Sequence, residues 1–269
     1  MSNDSTSKTL IVATVLCIVC SIVVSTAAVV LKPEQLANKS ADKKRNILAA
    51  AGLMEEGADI DKLFEKIDVK IVDIKTGEYL TQANADEDWE KAIVADPAGY
   101  DQRKATKTPG QHFVLDGGED IASIRRQATY ATVYLAKNDA GKVETVILPV
   151  HGYGLWSTLY GFLALETDLK TVVGFGFYEH AETPGLGGEV DNPKWKSQWP
   201  GKEVFNTKGE VDIGLVKGSV DPNSPTAKHE IDGLAGATLT SRGVTNLVQY
   251  WLGQNGFGAY LEKVKANGV

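Results

Sequence analysis

Cysteine is nearly missing from this chain of 269 residues: there are two, Cys17 and Cys20, and both lie in the apolar run 9–31. The remainder therefore has no internal disulfide and no thiol chemistry, which excludes a disulfide scaffold. A C-x-x-C near a βαβ pattern would suggest redox or metal chemistry. Here both sulfurs lie three apart on one apolar segment, where desolvation disfavours the thiolate, and they read as small apolar helix residues. Clustered positive charge is lacking too. Against 35 acids there are 28 Lys and Arg, a net −7, and this acidic balance argues against a nucleic-acid partner. The 27 glycines follow no period and no long heptad run occurs, which removes the collagen-like and coiled-coil classes. No Walker or Rossmann glycine pattern follows a strand. No catalytic constellation and no metal cluster is assigned.

One long run without charge is present. Residues 9–31 (TLIVATVLCIVCSIVVSTAAVVL) contain no ionisable acid or base. At about 1.5 Å per residue the run spans roughly 34 Å as a helix, enough for a hydrocarbon core of about 30 Å. Lys8 and Lys32 bracket it and can snorkel to the two interfaces. Ser25-Thr26-Ala27 is similar to a signal-peptide cleavage site, but the run exceeds the usual apolar core of about 7–15 residues, so an uncleaved anchor is expected. Residues 1–32 hold one acid and two bases (Asp4, Lys8, Lys32), which leaves 34 acids, 26 bases and a charge of −8 on the rest. Lys39, Lys43, Lys44 and Arg45 follow the span, and by flanking charge alone they would place the main domain in the cytoplasm.

The remainder reads as an α+β protein. A helix is expected over 38–51, ending at Gly52, and a short one over 59–66. A strand over 67–75 ends at the turn Thr76-Gly77, 84–95 is helical, and 96–120 reads as loops. Strands are expected over 129–137, 143–150, 158–166, 171–179 and 211–218, with a turn at Asn138-Asp139-Ala140-Gly141. In the helix 240–252, Val244, Leu247, Val248, Trp251 and Leu252 form one apolar face; a last helix covers 257–266. Strands first and helices last predict an antiparallel sheet with C-terminal helices. The expected division is a cytoplasmic N-terminus 1–8, a transmembrane helix 9–31, a membrane-proximal region 32–128 and a ligand-binding domain 129–269.

The most informative stretch is 232–244, a small-residue loop running into the apolar-faced helix. Gly236 and Ala237 permit close approach, and Thr240 and Ser241 are natural helix caps. The helix start can receive an anion, at about 0.3–1 kcal/mol from the dipole. Thr238 stands just before it with a hydroxyl able to bond or react.

Asp232-Gly233-Leu234-Ala235-Gly236-Ala237-Thr238 resembles the flavinylation motif Asp-x-x-Ser/Thr-Gly-Ala-Thr. That motif marks the FMN-binding domain family shared by NqrC, from the sodium-translocating NADH:quinone reductase, and RnfG, from the Rnf electron-transport complex. The resemblance implies FMN joined by a phosphoester bond to Thr238, with Asp232 serving recognition by a flavin transferase. Ala235 departs from the motif and lacks its hydroxyl. His180-Ala181-Glu182-Thr183-Pro184-Gly185-Leu186-Gly187 resembles the family's His-x-Glu-Thr-Pro-Gly-Leu-Gly loop beside the flavin. Thr183 would bond the polar edge of the ring, Leu186 would cover a face, and Gly185, Gly187 and Glu182 belong to the same contact set. Gly154-Leu155-Trp156-Ser157 matches a further flavin-bordering segment in which Trp156 would stack. Lys217-Gly218 is similar to a strand end whose lysine would pair with the phosphate. Leu239, Thr240 and Ser241 complete the implied site at the helix start.

The long segment 52–128 favours the NqrC type over the shorter RnfG type. The resemblance implies an electron relay with the flavin domain outside the bacterial inner membrane. Its implied partners are the other subunits of the redox complex, the transferase during maturation and the lipid bilayer. NADH would bind another subunit. The competing expectation is a membrane-anchored extracytoplasmic binding module without redox function, in which Thr238 only shapes a turn.

Overall fold

The computed structural model describes residues 5–55 and 57–268. The chain divides into two compact units, one ending at Lys43 and the other starting at Lys44. The first is filled by helix α1 (Thr6–Ala50), whose last turns belong to the second unit. Its best 18-residue window has a mean hydropathy of 2.7 and nothing in it is buried, so it is long and apolar enough to cross a membrane. The helix expected over 38–51 is thus the end of one that begins at Thr6. Pro33 lies inside it and removes one backbone donor without ending it. Gly52 does end it: at φ +70 its N–H donates to Ala49 O (3.1 Å) and the Leu53 N–H to Leu48 O (2.9 Å), the paired Schellman closure.

The second unit is built on one five-stranded antiparallel sheet. Helix α2 (Ile60–Phe64) precedes β1 (Ile67–Asp73). The segment expected as loops carries short structure: after α3 (Asp88–Ala95) come α4 (Gln102–Ala105) and β2 (His112–Val114). β2 pairs with β3 (Arg126–Ala128) in a separate ribbon. Then β4 (Tyr130–Lys137), β5 (Val143–Tyr153), β6 (Thr158–Glu166) and β7 (Val172–Glu179) form a meander. Strand order is β1-β4-β5-β6-β7, so β1 returns to close one edge, with Ile67 opposite Ala136 and Asp73 opposite Tyr130. The expected turn at 138–141 forms as read: Asn138 Oδ1 accepts the N–H groups of Ala140 and Lys142, and Gly141 takes φ +77.

After β7 the chain is mostly loop, with α5 (Pro193–Lys196), β8 (Gly214–Leu215) and β9 (Glu230–Ile231). The strand expected over 211–218 shrinks to β8, because its partner β9 offers only two residues, in parallel. Helices α6 (Thr238–Leu252) and α7 (Gly258–Asn267) close the fold. The alternation read in the strands does not leave a wet face. β4 is buried from Tyr130 to Ala136. One face packs on the apolar stripe of α6, where Val244, Leu247, Val248 and Trp251 are fully buried. The other receives Ile47, Leu48 and Ala50 from the end of α1 and, further along, the cluster around Ile93, Tyr100 and Ala105.

Candidate cofactor site

Three connections meet around one carboxylate at the end of the sheet: the β5–β6 turn, the loop after β7, and the start of α6. Glu182 is 5% exposed. Its Oε1 accepts the N–H groups of Leu155 (3.1 Å), Trp156 (2.9 Å) and Ser157 (3.1 Å). Its Oε2 accepts the Thr240 hydroxyl at 2.7 Å. Burial pushes this carboxyl up, but the Thr240 hydroxyl and the three N–H groups outweigh it and hold the group below the ordinary carboxylate value. A Cβ on Gly154 would lie 2.7 Å from Glu182 Oε1, and one on Gly187 2.6 Å from Thr240 Oγ1. These glycines are required by close approach to a buried charge. As an isolated residue Glu182 reads as a solvated surface acid; the structure makes it a buried anion tying three loops together.

The turn of the chain into α6 differs from the capped start read in the sequence. Gly236 takes φ +69 and Ala237 becomes the N-cap, so the helix begins at Thr238. Thr240 and Ser241 lie in its first turn and are buried. They do not cap, because a capping side chain must come from the residue outside the helix. Thr240 serves Glu182 instead. Ser241 Oγ donates to Ala237 O (3.1 Å) and accepts from the Leu234 N–H (3.0 Å), which fixes the preceding loop. With alanine at the cap, the N–H groups of Thr238, Leu239 and Thr240 have no acceptor among the described residues. Thr238 is exposed. Further along, a Cβ on Gly243 would meet the Tyr153 carbonyl and lie 3.0 Å from Gly154 Cα, so α6 packs directly on the β5–β6 turn.

The remaining motif residues surround this point. Leu186 Cδ2 is 3.0 Å from where a Gly236 Cβ would stand, which brings the 180–187 loop onto the 232–238 loop. Gly185 takes φ +74 in open space, and Thr183 is exposed while its carbonyl accepts from Leu186 and Gly188. Trp156 (66%), Leu239 (52%) and Leu186 (43%) are exposed large apolar side chains on the three connections. Apolar exposure of this kind marks a surface that something covers. Asp232 is half-buried; its Oδ1 accepts the Val220 N–H at 2.8 Å and its carbonyl accepts Trp195 Nε1 at 3.0 Å. Lys217 is exposed beside the same loop, where Gly233 N–H donates to Gly218 O at 2.8 Å.

Two contacts that hold the site escape the sequence. Ser157 Oγ accepts the Ala181 N–H (2.8 Å) and so joins the two loops. Asp191 Oδ2 accepts from His180 Nε2 at 2.7 Å, the donor nitrogen because Nδ1 takes the Glu182 N–H. Neither contact has a local signal, since each pairs residues more than ten positions apart.

Residues 154–253, which carry all of these elements, match the FMN-binding domain family. Over 268 residues the chain is 52% identical to the C subunit (NqrC) of the Na(+)-translocating NADH-quinone reductase of Pseudomonas aeruginosa, covering 98% of each. The chain belongs to the NqrC family. It is 47% identical to the corresponding protein of Vibrio campbellii, covering all of this chain and 98% of that one. A crystal structure of the Shewanella oneidensis NqrC superposes with a TM-score of 0.75 at 35% identity, over 86% of this chain and 100% of that one. The NqrC structure from Parabacteroides distasonis, 24% identical over 86% of this chain and 96% of that one, shares the fold at a TM-score of 0.61.

Proposed function

We propose that this chain is the electron-relay subunit of a sodium-translocating NADH:quinone reductase and carries one FMN through a phosphoester bond to Thr238 Oγ1. The observation that carries the reading is the exposed Thr238 hydroxyl at the first position of α6. It stands beside three N–H groups without acceptors among the described residues, and exposed apolar side chains lie on each of the three connections that meet there. The residues present fit the group. A phosphodiester keeps one negative charge, and the open start of a 15-residue helix is suited to it. Lys217 adds a second positive field.

The flavin supplies the electron chemistry when bound. The chain does the rest. Thr238 tethers, so the ring cannot diffuse away. Trp156, Leu186 and Leu239 offer apolar contact that desolvates a flat ring, and Thr183 offers a hydroxyl to its edge. Glu182 touches neither ring nor phosphate in this scheme; it holds the three loops at fixed separation, which is what a relay needs for constant distances to its neighbours. Asp232 and Gly236 shape the loop that a flavin transferase must grip, with Thr238 standing outermost.

The decisive experiment makes the full chain together with a flavin transferase and views the denatured band under ultraviolet light. The wild type should fluoresce yellow-green and Thr238→Ala should be dark while unfolding at the same urea concentration. A dark wild-type band sinks the covalent attachment and leaves a binding module. Equal fluorescence in the variant puts the attachment on another residue.

We place the chain in the bacterial inner membrane, with 9–31 as the span, 32–128 as the membrane-proximal region and 129–269 as the flavin-bearing part outside the cytoplasm. Flanking Lys and Arg argue the other way, but they govern long translocated domains poorly. Protease added to intact spheroplasts should digest the domain; full protection until lysis would reverse the orientation. The Pseudomonas and Vibrio relatives, matched over nearly their whole length, are both NqrC proteins, which supports that type over RnfG.

A further inference from the structure

A cavity of about 450 Å³ lies beside the β5–β6 turn, lined by Thr106, Ser123–Arg126, His151, Tyr153, Thr158 and Tyr160. Its lining shares no residue with the Thr238 loop. Gly152 turns toward α6, where its Cβ would meet Leu247; its neighbours His151 and Tyr153 line the cavity, with the His151 ring also against Trp251. Its composition is one-sided in charge. Arg125 and Arg126 line it, are exposed, and have no ion-pair partner among the described residues. No acid lines it. Two acids lie nearby: Asp120 accepts the N–H groups of Ile124 and Arg125 and so shapes the loop that carries the arginines, and Glu179 accepts both arms of Arg103. Arg103 lies 3.7 Å over the Tyr160 ring behind the wall, with its charge paired to Glu179. Thr106, Ser123 and Thr158 add hydroxyls.

The backbone that presents these groups is strained. Ser123 takes φ +54 and Arg125 φ +64, a region that non-glycine residues seldom occupy and that costs on folding. A glycine at Arg125 would remove the strain. An arginine is held there instead, next to Arg126, and both residues line the cavity. Guanidinium forks on an otherwise polar, acid-free wall are the recognition chemistry of phosphate. The volume exceeds a bare anion and accommodates a sugar or ring, with the exposed Tyr153 as its apolar contact.

We propose that this cavity is a second ligand site, distinct from the flavin attachment, and binds an organic phosphate through Arg125 and Arg126. The test uses the full flavin-loaded chain in detergent and titrates AMP, ribose 5-phosphate, adenosine and soluble dihexanoyl phosphatidylglycerol by calorimetry. At least one phosphate compound should bind saturably and adenosine should not. Preference for the lipid headgroup over AMP and ribose 5-phosphate would identify a membrane source, and the reverse a soluble one. Arg125→Gly should weaken binding at least tenfold while leaving the melting temperature unchanged or higher, and Arg126→Gln should weaken it while melting as the wild type. No saturable binding of any phosphate compound overturns the proposal, as does unchanged affinity in both variants. Binding confined to the flavin-free Thr238→Ala chain would show that the cavity is the flavin's own seat, and also overturns it.

Discussion

Replacing Glu182 by alanine should cost about 3–5 kcal/mol of stability and at least tenfold in flavin attached to Thr238, with the acceptor hydroxyl untouched. The substitution strips an acceptor from the N–H groups of Leu155, Trp156 and Ser157 and from the Thr240 hydroxyl. Each unsatisfied buried group costs about 1–3 kcal/mol, and water entering from the surface recovers part of the sum. Glutamine separates charge from geometry. Its carbonyl oxygen still accepts from the β5–β6 turn, and Thr240 can turn its hydroxyl to accept from the amide. Glu182→Gln should therefore cost about 1–2 kcal/mol, the difference between charged and neutral hydrogen bonds, and keep most of the flavin. Urea unfolding and the fluorescence of the denatured band read the two effects separately. An alanine variant with wild-type stability and wild-type flavin content would remove Glu182 from its place as the organiser of the site.

The second large effect is a dependence of stability on pH that one histidine supplies. His151 stacks on Tyr160 at 5.4 Å and leans on Trp251 at 4.8 Å between ring centroids. The ring is half-buried in the cavity wall, and its desolvation, with the charge of Arg103 adding to it, pushes its pKa down to about 4. The folded protein therefore holds this ring neutral where the unfolded chain, titrating near 6.5, protonates it. Between those values the unfolded state binds more protons, so stability rises with pH. It is fully present above about pH 6.5 and is lost as pH falls toward 4. The loss between about pH 7 and pH 5 comes to at most about 2 kcal/mol for this one group, because the ring keeps some contact with solvent in the cavity. His151→Phe keeps a ring against Tyr160 and Trp251 but cannot titrate. It should flatten the pH dependence by that amount when urea midpoints are compared at the two pH values. A variant whose midpoint falls as steeply as the wild type would show that the ring is already free to protonate in the folded state.

Much of the site is legible because its chemistry is local. The run 232–238 and the run 180–187 each carry their own glycines, hydroxyls and acid within a few residues, and the structure brings both to one place. How they are joined is not legible. Glu182 reads on its own as a surface acid, and only the arrival of Leu155–Ser157 and Thr240 from 25 or more residues away makes it a buried anion. Thr240 and Ser241 have the composition of caps, yet Ala237 takes the cap position, since a left-handed Gly236 starts the helix early. The contacts of Ser157 and Asp191 give no signal, because a serine in a turn and an aspartate in a loop are ordinary until their partners are known.

Local pattern is enough to dictate the N-terminal apolar helix, the strands of the meander, the apolar stripe of α6 and the hydroxyl proposed to carry the flavin. Each of these is set by short-range periodicity, turn chemistry or a contiguous motif. Folding in three dimensions settles the rest: that β1 closes the sheet beside β4, that both faces of β4 are covered, and that Arg125 and Arg126 come to line a cavity with His151 and Tyr160. Those outcomes depend on pairings between residues far apart in the chain, and no local pattern of apolar and polar residues encodes which distant segment will supply the missing contact.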